Sequence, residues 1–182
     1  MYTLGTLTVI PVSTRLDLVA EPTKALLSSR TDLASACGVS EIDSAASDTA
    51  AFCEKYQVKP EQCANCVIVR ATRGEEVQYA ACMILGNMRA DVNGLVRRHL
   101  DARKASFAPM EDAVVLTKME YGGITPVGLP ADWPILVDGA VAAAERVIVG
   151  SGIRGSKLVV SGKFLTSLPN AVVLEGLGAI KG

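Results

Sequence analysis

Short apolar runs along the chain predict β-strands. Residues 6–12, TLTVIPV, are rich in β-branched side chains and predict a first strand, at a sheet edge because Pro11 cannot donate a backbone hydrogen bond. The runs at 66–71 and 77–85 flank a turn that contains Gly74, which predicts an antiparallel hairpin. The second run is apolar almost throughout, so we expect a central strand covered on both faces. Further strand-like or apolar runs lie at residues 134–138, 146–149, 157–161 and 171–175.

Helical spacing of apolar residues and helix-start signals predict helices between these strands. The predicted helices cover residues 21–30, 32–39, 49–57, 89–102 and 109–117. Pro22 and Pro109 stand near helix starts, and the helix at 49–57 would bury Ala50, Phe52 and Cys53 along one side. The helix at 89–102 is expected at the surface. Hairpins with interspersed helices predict an α+β domain in which helices surround a mixed, mostly antiparallel sheet.

The composition predicts one globular domain over residues 1–182. Hydrophobic residues make up 49% and charged residues 20%, which fits a core of Val, Ala, Leu and Ile. The chain has 5 cysteines, an odd number, and it shows neither a signal-peptide pattern nor a long apolar span. Together these features predict a cytoplasmic protein with reduced thiols and no membrane segment. Aromatic residues are only 4%, so recognition of an exposed base would depend on Tyr79, Phe107, Tyr121 or Trp133.

The segment TKMEYGGITPVG at residues 117–128 has the strongest chemical pattern. Gly122, Gly123 and Gly128 permit unusual backbone angles and close approach by a ligand, while Pro126 fixes one angle and removes a donor. The combination predicts a bent, exposed loop whose free N–H groups can face an oxygen, as binding of an anion or an ester requires. An ordinary turn has the same residue types, so the motif alone leaves both interpretations open.

The order of motifs around this loop extends the pattern over most of the chain. After the loop come a strand-like run that ends at Asp138 and a turn with Gly152 and Gly155. Over roughly residues 25–175 this order resembles the YbaK and prolyl-tRNA synthetase associated domain, a family of aminoacyl-tRNA editing deacylases. The resemblance implies a curved, barrel-like sheet. It also implies a substrate loop made by the residues that match the family motif, which are Thr117, Gly122, Gly123, Pro126 and Gly128.

Two positions depart from the family pattern. Asn65 stands where the family usually has a Lys in its pocket, and Lys118 stands where many relatives have Gly. An amide can donate and accept hydrogen bonds, but it brings no positive charge to polarise a carbonyl. Either this member works without that cation or it no longer catalyses.

The charge of the chain bears on whether the protein binds nucleic acid. The net charge of −1 argues against a protein that grips nucleic acid by a large basic face, although residues 51–110 are net basic. Arg89, Arg97, Arg98, Arg103 and Lys104 from that section could contact a tRNA acceptor stem or simply form a solvated face.

Thiol and imidazole chemistry receives little support. Cys63 and Cys66 form a lone Cys-x-x-Cys, and His99 is the only histidine, so the pattern of a zinc site is absent and buried structural thiols are the better interpretation. His99 is expected on the surface, and no Ser-His-Asp or Cys-His arrangement occurs in the chain. We therefore expect no metal and no cofactor.

The sequence thus leads to a hypothesis of trans-acting hydrolysis of mischarged aminoacyl-tRNA at its acceptor end. In this hypothesis the backbone of the loop holds the oxyanion and the amino acid, Asn65 orients the ester or a water, and Asp138 either receives the α-ammonium or makes a turn. The expected pocket residues are Asn65, Thr117, Gly122, Gly123, Ile124, Pro126 and Asp138, with Gly152, Ile153, Arg154 and Gly155 as a neighbouring wall. The alternatives are an inactive module that binds the same ligand, and a redox or metal protein that uses Cys63 and Cys66.

Overall fold

The computed structural model describes residues 1–180, which form two curved five-stranded sheets with helices around them. The strands are β1 Tyr2–Leu4, β2 Leu7–Pro11, β3 Gly38–Glu41, β4 Ala64–Arg73, β5 Glu76–Leu85, β6 Met88–Ala90, β7 Lys104–Phe107, β8 Ile135–Asp138, β9 Val147–Gly150, β10 Ser156–Val160, β11 Ala171–Leu174 and β12 Gly178–Ile180. The α-helices are α1 Glu21–Ser29, α2 Thr31–Ser35, α3 Thr49–Tyr56, α4 Arg97–His99, α5 Met110–Thr117, α6 Gly139–Ala142 and α7 Gly162–Thr166.

The sheet topology confirms the predicted α+β class with a mixed, mostly antiparallel, barrel-like sheet. One sheet has the order β1-β2-β3-β10-β9, the other has β11-β8-β5-β4-β7, and β12 pairs with β6. The pairings of β8 with β5 and β11 are parallel, and the other named strand pairs are antiparallel. A parallel bridge between Cys63 and Ile148 links the start of β4 to β9. This bridge joins the two sheets and curls them toward a half-barrel.

The hairpin expected around Gly74 is present and forms the middle of the second sheet. β4 and β5 pair from Ala64 with Leu85 to Arg73 with Glu76, and Gly74 adopts a φ of 63° in the turn. β5 lies between β4 and β8, and its residues 80–85 are buried, as the continuous apolar run predicts. Burial of side chains such as Met83 contributes about 1.5–3 kcal/mol each to folding.

Three local expectations from the sequence are wrong. β2 lies between β1 and β3 rather than at an edge, and Pro11 is tolerated because it is the last residue of the strand. Ala50 is exposed on α3 whereas Phe52 is buried, because residues two apart in a helix lie on nearly opposite sides of it.

The third correction concerns residues 89–102, which do not form one surface helix. Residues 88–90 instead pair with β12, the last described segment of the chain, so a long-range contact overrides the local helical pattern. A π-helical turn follows at Val92–Val96 and begins where the Asp91 carboxylate accepts hydrogen bonds from the N–H groups of Gly94 and Leu95, and α4 comes after it.

The largest apolar core packs between the first sheet, the β5–β8 region and the helices α1, α2 and α7. A second core lies under the segment around Val92 and Val96, and a third joins Phe52 of α3 to Val159 of β10. Within residues 1–180, no helix has the length and apolar character that crossing a membrane requires.

Candidate functional site

A cavity of about 370 Å³ lies at the seam where β4 and β9 diverge. After the Cys63–Ile148 bridge, the edge of β4 that faces β9 has no strand partner among the described residues until Ile68. At that residue, Ile68 O accepts a hydrogen bond from Ala108 N–H. The gap between these two points is the cavity, and its volume is within the range of small-molecule sites. Its walls come from β4, β9, β10, the start of α3, the segment at Phe107 and Ala108, and the loop at Tyr121, Gly122 and Ile124.

The loop that follows α5 packs directly onto β9 and the turn after it. Gly152 N–H donates to Gly123 O at 2.7 Å, and Glu120 N–H donates to Gly152 O at 2.9 Å. A Cβ atom on Gly150 would lie 2.3 Å from Gly123 O and 2.4 Å from Ile124 O, and one on Gly123 would lie 2.5 Å from Ile153 backbone atoms. Glycine is therefore required at both positions for the two backbones to approach this closely.

Two backbone donors of the loop remain available to a ligand. Gly123 N–H is used by Glu120 O at 2.9 Å, which closes the turn. The N–H groups of Gly122 and Ile124 make no hydrogen bond to any residue of the described chain, and both residues line the cavity. Gly122 has a φ of 86°, a conformation that side-chain-bearing residues rarely adopt. The two residues with uncommitted N–H groups thus lie beside the cavity.

Asn65 lies on β4 and also lines the cavity. Its Oδ1 accepts a hydrogen bond from the Thr49 hydroxyl at 3.0 Å, which orients the side chain. Its Nδ2 makes no hydrogen bond with another residue among 1–180, so this donor is free for a ligand. Thr49 is the first residue of α3, next to Asp48, whose carboxylate caps the helix by accepting from Ala50 N–H at 3.0 Å.

Lys157 is a cavity residue that the sequence analysis missed. It lies on β10 opposite Gly150 of β9, and its Nζ donates to Ser47 O at 3.1 Å and lies 5.4 Å from the centroid of the Phe52 ring. Burial lowers the pKa of Lys157, partly offset by Cys63 and Asp48. Period-2 alternation in 157–161 could have placed Lys157 on the opposite face from Leu158, but only the fold shows that this face opens into the cavity.

Asp138 does not reach the cavity. Only 3% of it is exposed, and its carboxylate accepts hydrogen bonds from Ala140 N–H at 2.9 Å and Gly178 N–H at 2.8 Å. It therefore caps α6 and ties the end of β8 to β12. These contacts match the turn-making interpretation of Asp138, and the structure does not place it where an α-ammonium in the cavity would lie.

Other expected pocket residues support the loop without lining the cavity. Thr117 is 2% exposed, donates to Ala113 O at 2.6 Å and accepts from Met119 N–H at 3.2 Å, so it ends α5. Pro126 is buried and lines a separate pocket with Pro22. Lys118, the second departure from the family pattern, has a φ of 56°, which explains why glycine suits this position.

The turn at residues 152–155 lies behind the loop. Arg154 donates from its backbone N–H to the Glu120 carboxylate at 2.6 Å and from Nη2 to Ser44 O at 3.1 Å. Its Nη1 would be 3.3 Å from a Cβ on Gly122, so the guanidinium lies beside the loop. Gly152, Ile153 and Gly155 are not among the residues that line the cavity.

Of the four aromatic residues considered for base recognition, two lie at the cavity. Phe107 and Tyr121 line it and are each 57% exposed, so they mark its opening to solvent. Tyr79 and Trp133 instead stack on each other with ring centroids 5.2 Å apart. The basic residues Arg89, Arg97, Arg98, Arg103 and Lys104 do not line the cavity.

The thiols of Cys63 and Cys66 face the same cavity but lack features of a reactive pair. Cys63 Sγ lies 3.8 Å from Cys53 Sγ, and burial raises the pKa of Cys63 to about 12. Burial also raises the pKa of Cys66. In the described part of the chain, no group of three or more His, Cys, Asp or Glu side chains is arranged to hold a metal ion.

Among the solved structures with the same fold are three whose chains are covered over nearly their whole length by the match. A hypothetical protein matches with a TM-score of 0.75 and 21% identity, covering 87% of this chain and 100% of the other. A candidate trans-editing enzyme for prolyl tRNA synthetase matches with a TM-score of 0.71 and 17% identity, covering 86% of this chain and 97% of the other. A scaffold protein used in computational epitope grafting matches with a TM-score of 0.72 and 18% identity, covering 86% of this chain and 95% of the other.

Comparison with curated proteins finds no significant match. The family model of the aminoacyl-tRNA editing domain matches residues 43–168 of the sequence. This span contains the residues that line the cavity, the loop and Lys157. The fold and this match agree with the resemblance carried by the ordered glycines and strands. The chain belongs to the aminoacyl-tRNA editing domain family.

Proposed function

We propose that this protein is a cytoplasmic, single-domain deacylase that hydrolyses mischarged aminoacyl-tRNA in trans. The observation that carries the proposal is the pair of uncommitted N–H groups on Gly122 and Ile124 at the wall of the cavity. Membership of the editing family supports an aminoacyl ester as the substrate.

The chemistry requires little from protein side chains. Water adds to the ester carbonyl, and the tetrahedral intermediate then releases the amino acid carboxylate, the hydroxyl of the terminal ribose and a proton to solvent. An aminoacyl ester is already activated, so orientation and stabilisation of the oxyanion are the main needs. The N–H groups of Gly122 and Ile124 would donate to the oxyanion, and Nδ2 of Asn65, held through Thr49, would orient the ester or the attacking water.

The cavity would hold the amino acid of the substrate, and its rim would contact the terminal nucleotide. Val67, Ile68 and Ile148 are among the apolar residues that line the cavity, and they would contact the amino acid side chain. The exposed rings of Phe107 and Tyr121 at the opening offer faces for the terminal base. Arg154, beside Gly122, would contact the terminal phosphate.

Deacylation assays with a panel of mischarged and correctly charged tRNAs test this function. We expect hydrolysis of at least one mischarged species, and we expect Asn65→Ala to lower kcat by about 10- to 100-fold because it removes a positioning donor. Asn93→Ala is the matched control, since Asn93 is exposed and lies outside the cavity. Absence of hydrolysis of every species would refute the proposal.

An inactive binding module is the second candidate, and Asn65 at the position of the family Lys favours it. In that case the same cavity would hold the aminoacyl end without turnover. The protein would then protect a charged tRNA from spontaneous hydrolysis, and Asn65→Lys would create activity. Protection and hydrolysis are opposite outcomes of one assay, so the two candidates are separated directly.

A further inference from the structure

The ammonium group of Lys157 lies at the cavity and makes no salt bridge with the described residues. Its one hydrogen bond is to the backbone oxygen of Ser47 at 3.1 Å, and no carboxylate of residues 1–180 lies within 4.0 Å of it. Burying an ammonium without a salt-bridge partner costs free energy, and the Asp48 carboxylate, which also lines the cavity, offsets only part of this cost for Lys157. An ammonium has three donors, and the other two have no partner in the described chain.

The strand pairing explains why this side chain enters the cavity. Lys157 is the direct partner of Gly150 across the β9–β10 ladder, so both residues present the same face of the sheet. Because Gly150 has no side chain, the loop backbone at Gly123 and Ile124 reaches β9 there. Lys157 and the loop backbone are thus brought to the same wall.

Lys157 and Asn65 are anchored to the same short segment from opposite sides of the seam. Lys157 donates to Ser47 O, and Asn65 accepts from the Thr49 hydroxyl, two residues further along. The segment Ser47–Thr49 itself lines the cavity. The two side chains therefore approach one region of the cavity, one from β10 and the other from β4.

We propose that Lys157 supplies, from β10, the positive charge that acts on the ester carbonyl in this cavity, in place of a cation at Asn65. This inference rests on the proposed function and adds a residue to it. As water adds to the ester carbonyl, the π electrons of the C=O bond move to its oxygen, which becomes an oxyanion. The Lys157 ammonium donates a hydrogen bond to this oxyanion. The proton stays on Lys157, and the oxyanion collapses to expel the ribose oxygen, which takes a proton from the attacking water.

Charge-exchange variants test this role with the full chain. Lys157→Met removes the charge at similar length, Lys157→Arg keeps it, and the double variant Asn65→Lys with Lys157→Asn moves it to β4. Loss of one donor to an oxyanion lowers kcat by about 100- to 1000-fold, which we expect for Lys157→Met. We expect partial activity in Lys157→Arg, and recovery of at least tenfold in the double variant over Lys157→Met.

A purely structural lysine would behave differently. If Lys157 only anchored Ser47, a lysine at position 65 could not restore the contact, so the double variant would stay inactive. Thermal melting of each variant shows whether it is folded. Binding of an alanyl-adenosine analogue with an amide in place of the ester is a readout independent of turnover, and Lys157→Met should weaken it about tenfold.

The outcomes separate this inference from the proposed function. If the wild type hydrolyses no charged tRNA, the proposed function fails, and the analogue still reports whether Lys157 acts on the carbonyl. If Lys157→Met keeps both wild-type hydrolysis and wild-type affinity for the analogue, the role of Lys157 is refuted while the proposed function stands. An inactive double variant with an intact fold would also overturn the charge-exchange argument.

Discussion

Substitution of Gly150 by Ala is the sharpest test of how the site is assembled. The added Cβ would lie 2.3 Å from Gly123 O and 2.4 Å from Ile124 O, whereas ordinary contacts begin at 3.4 Å. Both obstacles are backbone atoms, so no side-chain rotation relieves the clash. The loop must move away from β9 by about 1 Å, and its N–H groups then lose their alignment with the cavity.

The magnitudes follow from this displacement. Overpacking of this kind costs about 1–3 kcal/mol of unfolding free energy. A misplacement of about 1 Å lowers the rate of a positioned reaction by about 100-fold. We therefore expect Gly150→Ala to fold, with a modestly lowered midpoint in urea, and to lose about 100-fold in kcat/KM for the tRNA that the wild type hydrolyses best.

Gly74→Ala provides a control of comparable stability. Gly74 has a φ of 63° with no atom within 4 Å of an added Cβ, and it lies in the β4–β5 turn away from the cavity. The left-handed conformation costs alanine about 1–2 kcal/mol, so this variant loses stability without moving the loop. Equal activity of Gly150→Ala and Gly74→Ala, at equal fractions folded, would refute the argument that glycine at position 150 sets the loop.

Three further results are expected. If the exposed rings bind the terminal base as proposed, in the ground and transition states alike, Phe107→Ala and Tyr121→Ala should each raise KM for charged tRNA about 5- to 100-fold with little change in kcat; unchanged KM values in both would exclude stacking. Asp138→Asn should lower the free energy of unfolding by about 1–3 kcal/mol and leave KM of the folded fraction unchanged, since the carboxylate bonds Ala140 and Gly178 and not the cavity; a raised KM would restore its assignment to the α-ammonium. At pH 8 iodoacetamide should label Cys63 slowly until urea unfolds the protein, because burial raises the pKa of that thiol to about 12 and keeps it protonated; rapid native-state labelling would revive a redox role.

Structural features that depend on neighbouring residues could be predicted from the sequence. Alternation and turn residues predicted the hairpin around Gly74, the strand that ends at Asp138 and the helix that begins after Pro109, and the structure has all three. The ordered glycines also indicated the editing family and its curved sheet. The hairpin, the strand and the helix are set by short-range backbone preferences, which are visible in a window of a few residues.

Which residues share a site follows from the folding of distant segments against one another. Asn65, Gly122 and Lys157 are far apart in sequence and meet only because β4 and β9 separate beyond a single bridge. Asp138 matched a family motif, yet its carboxylate accepts hydrogen bonds from backbone N–H groups of α6 and β12 and does not reach the cavity. Such assignments depend on contacts between distant segments, and no local pattern encodes them. A cation lies at the cavity although position 65 has none, because β10 presents Lys157 on the face of the sheet that it shares with Gly150 of β9.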